Sequence, residues 1–362
     1  MTQVRAALIG AGLVGQVAHL HTMTRPESPI KLSGVVDASA TRAQVLGETH
    51  GVPWATDLTE LPTDDLDAVV ISAPDPAHRP LTMQALGLGL HVFIEKPLGL
   101  SVMEAREMTE AGTASGLVCQ VGYMKRFDPA VQMLKDLLTS SHATIDSIAV
   151  EVRDPDASPF VRDFPFVPAG SDVPVALQVE GQERLVTAVG AVIERAPTAI
   201  EITGYTSYIS SLIHDLNLVR LLMPEATQIT DAFIAMAGGQ VGMRLATSDG
   251  RLARICHTQQ PTIADYEERL TVYTSIGVFE LIFPAPYLLY EPTVLRRIHL
   301  KDTEERSLIQ DLNASTQEAF VRELEAFAEV ILAGGSVPAQ NSFADATEDL
   351  RYIDTAFRMA VR

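Results

Sequence analysis

Apolar and polar positions divide the chain into two parts of different period. Up to about residue 121, short continuous apolar runs alternate with stretches of helical spacing. The runs at 4–9, 32–36, 68–71, 91–94 and 117–121 are rich in β-branched residues and predict strands. The spacing at 13–23, 41–50, 79–88 and 102–112 predicts helices between them. Strands that are apolar on both faces and separated by helices predict a parallel sheet covered on both sides. After residue 125 the pattern changes. A helix is predicted over 129–138 and an alternating strand over 145–152, followed by a Pro-, Asp- and Phe-rich stretch at 154–175 that reads as a long surface loop. Helical spacing returns at 182–194 and 206–222. Alternating runs at 232–236, 242–246, 252–257, 269–274 and 277–283 are joined in part by glycine-containing turns such as "AGGQ" and "SDG", and these predict an antiparallel sheet. Helices over 315–332 and 345–360 close the chain. The fold class expected is α/β: a first domain at 1–123, an α+β domain with an open, mainly antiparallel sheet at 124–343, and a C-terminal helix at 344–362 packing back on the first domain. There is no internal repeat and no low-complexity segment.

Composition narrows the function classes. With 362 residues, 47% hydrophobic and 20% charged, the chain can bury two ordinary cores. A net charge of −19 repels polyphosphates, which excludes nucleic acid as the expected partner. No apolar run reaches the roughly 20 residues needed to span a bilayer, and the N-terminus opens directly in a strand without a leader layout. The expectation is a cytoplasmic protein with no membrane partner. Cys119 and Cys256 lie far apart in apolar runs, as expected of two reduced thiols. No metal site is expected, because His19 and His21 stand apart from other donors along the sequence.

The chemistry-bearing motifs fall at strand ends. "ALIGAGLVGQ" places Gly10, Gly12 and Gly15 in a G-x-G-x-x-G turn between the first strand and the first helix. Such glycines give a tight turn, backbone approach to a pyrophosphate and close helix–strand packing, while the helix start at Leu13 and Val14 supplies amide donors. Asp37 ends the second strand about 20 residues on, where a carboxylate accepts the hydroxyls of an adenosine ribose. Its structural alternative is a plain helix N-cap. Arg42, in the next helix, has the reach to stack on adenine or meet a phosphate. The balance favours NAD over NADP. Ser72, Ala73 and Pro74 leave a later strand and lead to His78. "HVFIEKPLG" leaves another through Glu95, Lys96 and Pro97, the proline biasing Lys96 toward extended backbone. Carboxyl ends of parallel strands are where open α/β sheets bind ligands.

These segments carry a family resemblance. "GAGLVG", the strand-end Asp37, "APDPAH", "EKPLG", "VGYMKRFDP", "SSLIHDLNLVR" and "ADATEDLRYIDTAF" together resemble the glucose–fructose oxidoreductase/inositol dehydrogenase (Gfo/Idh/MocA) family. The resemblance covers most of the chain in order, with 154–200 matching poorly. It implies a Rossmann dinucleotide-binding domain, an α+β domain often used for oligomerisation as a homodimer or homotetramer, and hydride transfer between a nicotinamide cofactor and a sugar, cyclitol or related polyol. It implies catalytic roles for Lys96 and His214. The family pattern places Asp four residues before that histidine, and here the position is Ser210.

On an ideal helix Ser210, His214 and Asn217 share one arc, and Ile209, Leu212, Ile213 and Leu216 share an apolar one. The polar arc reads as a cleft lining. Asp215 points elsewhere and reads as a salt-bridge residue. Tyr123 and Arg126 are further candidates for holding a substrate oxygen. Loss of the usual Asp keeps one alternative open, a dinucleotide-binding sensor without efficient turnover. A lyase with a transient redox cycle has no residue in its favour.

Overall fold

The computed structural model describes residues 3–155, 157–288, 290–300, 307–338 and 341–362. In chain order the strands and helices are β1 (Val4–Ile9), α1 (Gly15–Leu20, π-wound, continuing as His21–Met23), β2 (Ile30–Val36), α2 (Ala40–His50), β3 (Trp54–Ala55), β4 (Ala68–Ile71), α3 (His78–Gly87), β5 (His91–Glu95), α4 (Val102–Ser115), β6 (Cys119–Gly122), α5 (Pro129–Ser140) and β7 (Ile145–Asp154). There follow α6 (Ser158–Val161), α7 (Val175–Ile193), α8 (Ala199–Ser207), a π-wound turn (Tyr208–Leu212) and α9 (Ile213–Leu222). The strands β8 (Gln228–Ala235), β9 (Gln240–Ala246), β10 (Leu252–Gln259), β11 (Glu267–Thr274), β12 (Gly277–Phe283), β13 (Val294–Leu300) and β14 (Ser307–Asn313) precede α10 (Ala319–Leu332) and α11 (Phe343–Ala360).

The chain divides into two compact units. The first takes the residues up to Tyr123 together with Phe164–Ala196 and Phe320–Arg351. The second takes Met124–Asp163, Pro197–Ala319 and Tyr352–Arg362. This differs from the expected contiguous domains. Residues 164–196, expected in the second domain, belong to the first unit, and the closing helix is divided after Arg351 rather than belonging wholly to one side.

In the first unit six strands form one parallel sheet of order β3-β2-β1-β4-β5-β6. All four residues of β4 are buried, as a strand covered on both faces requires. The order reverses between β1 and β4, the switch point at which such sheets bind ligands. The core of this unit is completed from far along the chain: Leu324, Phe327 and Ala328 of α10 pack with Val4, Leu8, Val70 and Phe93. Phe327 and Phe93 meet edge to face at 5.7 Å.

In the second unit eight strands run in the order β14-β13-β12-β11-β7-β10-β9-β8. Neighbours are antiparallel except β10 and β7, which pair in parallel. Alternation decides the faces: Ile148, Val150, Val152, Leu270, Val272 and Leu281 are buried. The opposite face carries a cross-strand run of alternating charge from Arg269 through Glu280 and Arg296 to Asp311. The expected mainly antiparallel sheet is present, with β13 and β14 added to the strands the sequence indicated.

Tyr205 of α8 anchors the end of α11 in this unit. Its ring is fully buried edge-on to Phe357 at 4.9 Å, and its hydroxyl donates to Asp354 Oδ1 at 2.9 Å. Burial pushes the Asp354 carboxyl up to about 6. Replacing Tyr205 by Phe keeps the ring and strands a buried acid, so thermal melting should show a loss of about 1–3 kcal/mol. An unchanged midpoint would mean that Asp354 finds another donor.

Candidate active site

Two groups of functional side chains exist, one in each unit. In the first unit the turn after β1 is set by backbone crowding. Gly10 has a φ of +83°, and a Cβ there would stand 2.5 Å from the backbone of Ala73. Only glycine takes that conformation at that approach. Gly10 N donates to Val36 O at 2.8 Å, Ser72 N to Ile9 O at 2.8 Å, and Ser72 Oγ to Gly10 O at 2.6 Å. The ends of β1, β2 and β4 are tied together by these bonds. Gly15 packs on the same turn, whereas a Cβ on Gly12 would enter open space among the described residues. Gly12, Leu13 and Val14 lie half-buried around the start of α1. An open glycine cradle beside helix-terminal amides fits a pyrophosphate.

Asp37 directly follows β2 and is buried at 6% exposure. Its carboxylate accepts from Ala11 N at 2.9 Å, Ser39 N at 2.9 Å and Arg42 Nη1 at 3.3 Å. The N-cap of α2 is Ser39, whose Oγ accepts from Arg42 N at 3.2 Å, so Asp37 is not the cap. A carboxylate at this strand end and the cradle at Gly12 together fit a nicotinamide dinucleotide. Arg42 is not left open to stack on adenine: beyond Asp37 it donates from Nε to Val167 O at 3.2 Å and lies over the Phe166 ring at 5.7 Å.

Lys96 follows β5, half-buried, at a cis bond to Pro97. His78 was expected to touch the cofactor. It is instead 1% exposed, with Nδ1 2.6 Å from Pro97 O and Nε2 2.9 Å from Ala73 O. The buried ring thus lies between the Ala73 turn and the segment that carries Lys96, with a carbonyl oxygen facing each ring nitrogen. Pro74 stays exposed on that turn. Glu95, also expected at the cofactor, turns inward because its carboxylate meets His19 Nε2 at 2.8 Å. Burial opposes its ionisation, but the His19 hydrogen bond and neighbouring positive charges hold it below the usual range. His19 is therefore not isolated: His19, Glu95 and Glu323 bring donor atoms within 4.8 Å of one another. Burial, then the charge on Glu95, pushes the Glu323 carboxyl well above its usual range. Tyr123, a candidate for substrate contact, is 1% exposed and belongs to the core.

In the second unit α8 runs through the π-wound turn into α9. Ile209, Leu212, Ile213 and Leu216 are fully buried, while Ser210 and His214 stay half-buried. Asn217, expected to line a cleft, is only 1% exposed. The π-wound turn bonds i to i+5 just before His214, so the ideal-helix arc does not carry through it; such turns recur at functional sites. Arg126 is buried and donates from Nη2 to Asn217 O at 3.1 Å. Beneath this helix lies a cluster that motif reading did not single out. Lys125 Nζ donates to Asp215 Oδ1 at 3.0 Å and also to Glu268, which accepts a second bond from the Tyr266 hydroxyl. The Asp215 salt bridge was expected; its partners were not. They come from β11 and the turn before α5, and no sequence spacing links them.

A parallel sheet of this order, with its glycine turn at the switch point and a carboxylate at the next strand end, defines a nicotinamide-dinucleotide domain of the Rossmann class. Residues 4–123 match the Gfo/Idh/MocA family, described as an oxidoreductase family with an NAD-binding Rossmann fold. A 130-residue stretch is 36% identical to scyllo-inositol 2-dehydrogenase (NAD(+)) of Bacillus subtilis (strain 168), covering 35% of this chain and 38% of that protein. The chain thus matches well under half the length of this curated relative. Levoglucosan dehydrogenase in complex with NADH and L-sorbose superimposes with a TM-score of 0.75 at 16% identity, over 100% of this chain and 97% of that one. A 3-ketoreductase from Actinomadura kijaniata, in complex with TDP-benzene and NADP, gives 0.73 at 17% identity, over 99% and 98%. These two show the shared fold of the whole chain. Among the described residues no helix is long and apolar enough to cross a membrane.

The Lys125 cluster generates a pH dependence. Burial works against the Lys125 charge, but Asp215 and Glu268 overcome it and carry the ammonium up to about 12. Burial pushes Asp215 up to about 7 from an ordinary 3.8, with Lys125 pulling it back only in part and Glu268 adding to the rise. A carboxyl raised on folding favours the protonated form. Its contribution is fully present below about pH 4 and is lost as pH rises through about 7. The melting temperature should therefore fall between about pH 4 and about pH 7, and Asp215→Asn should flatten that fall. Equal slopes in the two proteins would remove Asp215 as the source.

Proposed function

We propose that the protein is an NAD(P)-dependent oxidoreductase that transfers a hydride between a nicotinamide cofactor and a hydroxyl or keto group of a sugar, cyclitol or related polyol. The observation that carries this is the assembled strand-end site: an open glycine cradle, Asp37 at the next strand end and Lys96 following β5, on a domain that matches an oxidoreductase family. The inositol dehydrogenase relative supports the polyol class and, by the cofactor in its name, NAD over NADP. A homodimer or homotetramer is the proposed assembly.

When bound, the dinucleotide supplies the hydride acceptor or donor. Lys96 is assigned to hold the reacting oxygen and to stabilise the negative charge that grows on it. His214 is assigned to take the hydroxyl proton in oxidation and to return it in reduction, for which an imidazole is suited near neutral pH. Arg126 and Ser210 are assigned to the substrate side. Ser210 brings no charge to assist His214, and Asp215 is committed to Lys125. Reliance on Lys96 for charge therefore increases, which favours the ketone-reducing direction. No observation favours the sensor reading.

The test is absorbance at 340 nm with cyclitols, aldoses and uronic acids plus NAD, and with the matching ketones plus NADH. Lys96→Ala and His214→Ala should each lower kcat by roughly 10²–10⁴-fold. Full turnover after His214→Ala would return that residue to a structural role and end this mechanism.

A further inference from the structure

Residues 164–172 of the first unit form a strap hydrogen-bonded to the start of α1 and the start of α2. Gln16, 2% exposed, uses its amide as a second backbone: Oε1 accepts from Val167 N at 2.9 Å, and Nε2 donates to Val167 O at 2.9 Å and to Ala11 O at 2.8 Å. Arg42 adds its Nε bond to the same carbonyl and lies over Phe166. The strap ends at Asp172, whose carboxylate is seated on the residues that follow Asp37. Ser39 Oγ donates to Asp172 Oδ1 at 2.7 Å, while Thr41 N and Thr41 Oγ1 donate to Oδ2 at 2.8 and 3.1 Å. Gly170 N donates to Ser39 Oγ at 3.0 Å, and an added Cβ at Gly170 would stand 2.4 Å from Asp172 Oδ1.

Both acidic residues converge on one serine: Asp37 takes the Ser39 amide and Asp172 takes the Ser39 hydroxyl. Asp37 is placed to accept ribose hydroxyls. A phosphate on the 2′-hydroxyl would then need anion donors just beyond that carboxylate. The donors of suitable chemistry there are a serine hydroxyl, a threonine hydroxyl and amide, and the Arg42 guanidinium. We infer that Asp172 sets the cofactor preference by filling, with the chain's own carboxylate, the position a 2′-phosphate would take, so that NAD(H) is accepted and NADP(H) is refused. The inference rests on the dinucleotide site of the proposed function. The Thr41 amide, then the Ser39 hydroxyl, hold the Asp172 carboxyl down at about 2, so the resident anion keeps its charge at any working pH. Refusal has two physical parts: the donors are already used, and an incoming phosphate meets a second negative charge. The Gly12 cradle stays open, so a dinucleotide without the extra phosphate meets neither obstacle.

The test measures binding, not turnover. NADH and NADPH are titrated into the full-length protein by calorimetry or nicotinamide fluorescence, for the parent, Asp172→Asn, Asp172→Ala and Gly170→Ala. The parent should prefer NADH by about 10-fold or more. Asp172→Ala and Asp172→Asn should tighten NADPH by about 10- to 100-fold while changing NADH by less than about threefold. Gly170→Ala displaces the carboxylate without removing its charge and should narrow the preference less than Asp172→Ala does. A parent that binds NADPH as well as NADH, or an NADPH-to-NADH ratio unmoved in the Asp172 variants, overturns the assignment while leaving the oxidoreductase reading intact. Binding of neither nucleotide to any of the four proteins would overturn both.

Discussion

The close approach of Gly10 to Ala73 is the constraint on which the cofactor half depends. Two backbones pass where no Cβ fits, and the bonds from Gly10 to Val36 and from Ser72 to Gly10 hold three strand ends together. Everything with a proposed chemical role in that unit is placed relative to this knot. Asp37 leaves the strand that Gly10 joins, and Ser72 leads into the Ala73 turn. The His78 ring lies between that turn and the segment bearing Lys96. A strand end fixed in this way holds a short side chain in one place, and a misplacement of about 1 Å at a reacting site can cost about 10²-fold in rate.

The second unit relies on a different device. Lys125, Asp215, Glu268 and Tyr266 form a desolvated network under α9, with one cation among two carboxylates. A network of this kind is costly to assemble and, once assembled, specifies one arrangement of the elements that contribute to it. Here it fixes the helix that carries His214 against β11 and the turn that carries Arg126. The residue next to the proposed base, Asp215, is thus bound into this structural network, and the base itself stays half-buried.

The fold was legible where physical pattern is local. Both-face burial of the first sheet follows from continuous apolar runs, and 68–71 and 277–283 matched strand bounds directly. Strand β3 is two residues long and gives no period to read, while β13 and β14 lie in a stretch whose charged residues pair across strands instead of marking a buried face. The geometry of the glycine turn and the strand-end position of Asp37 were legible because each sits in a motif of fixed spacing; Lys96 and His214 come from motifs of the same kind, and their roles belong to the proposed function. His78, Glu95 and Tyr123 were placed at the cofactor or substrate because sequence gives position along a strand end but not the direction of a side chain. The Lys125 cluster and the Asp172 strap were invisible for another reason. Their partners lie some 90 to 143 positions apart, and nothing in a lone sequence reports a contact at that range.

The chain passes from one unit to the other after residues 123, 163, 196, 319 and 351. Neither unit is therefore a continuous piece of the gene. A fragment ending at Tyr123 would contain the whole stretch that matches the family, yet it would lack Phe327 and Leu324 from its own core and Val167 from the partner of Gln16. Sequence kinship and the cooperative folding unit thus have different borders in this protein. Recombination with a relative at the edge of the recognisable motif would separate residues that fold together, and an exchange of cofactor-binding modules would need three segments moved at once.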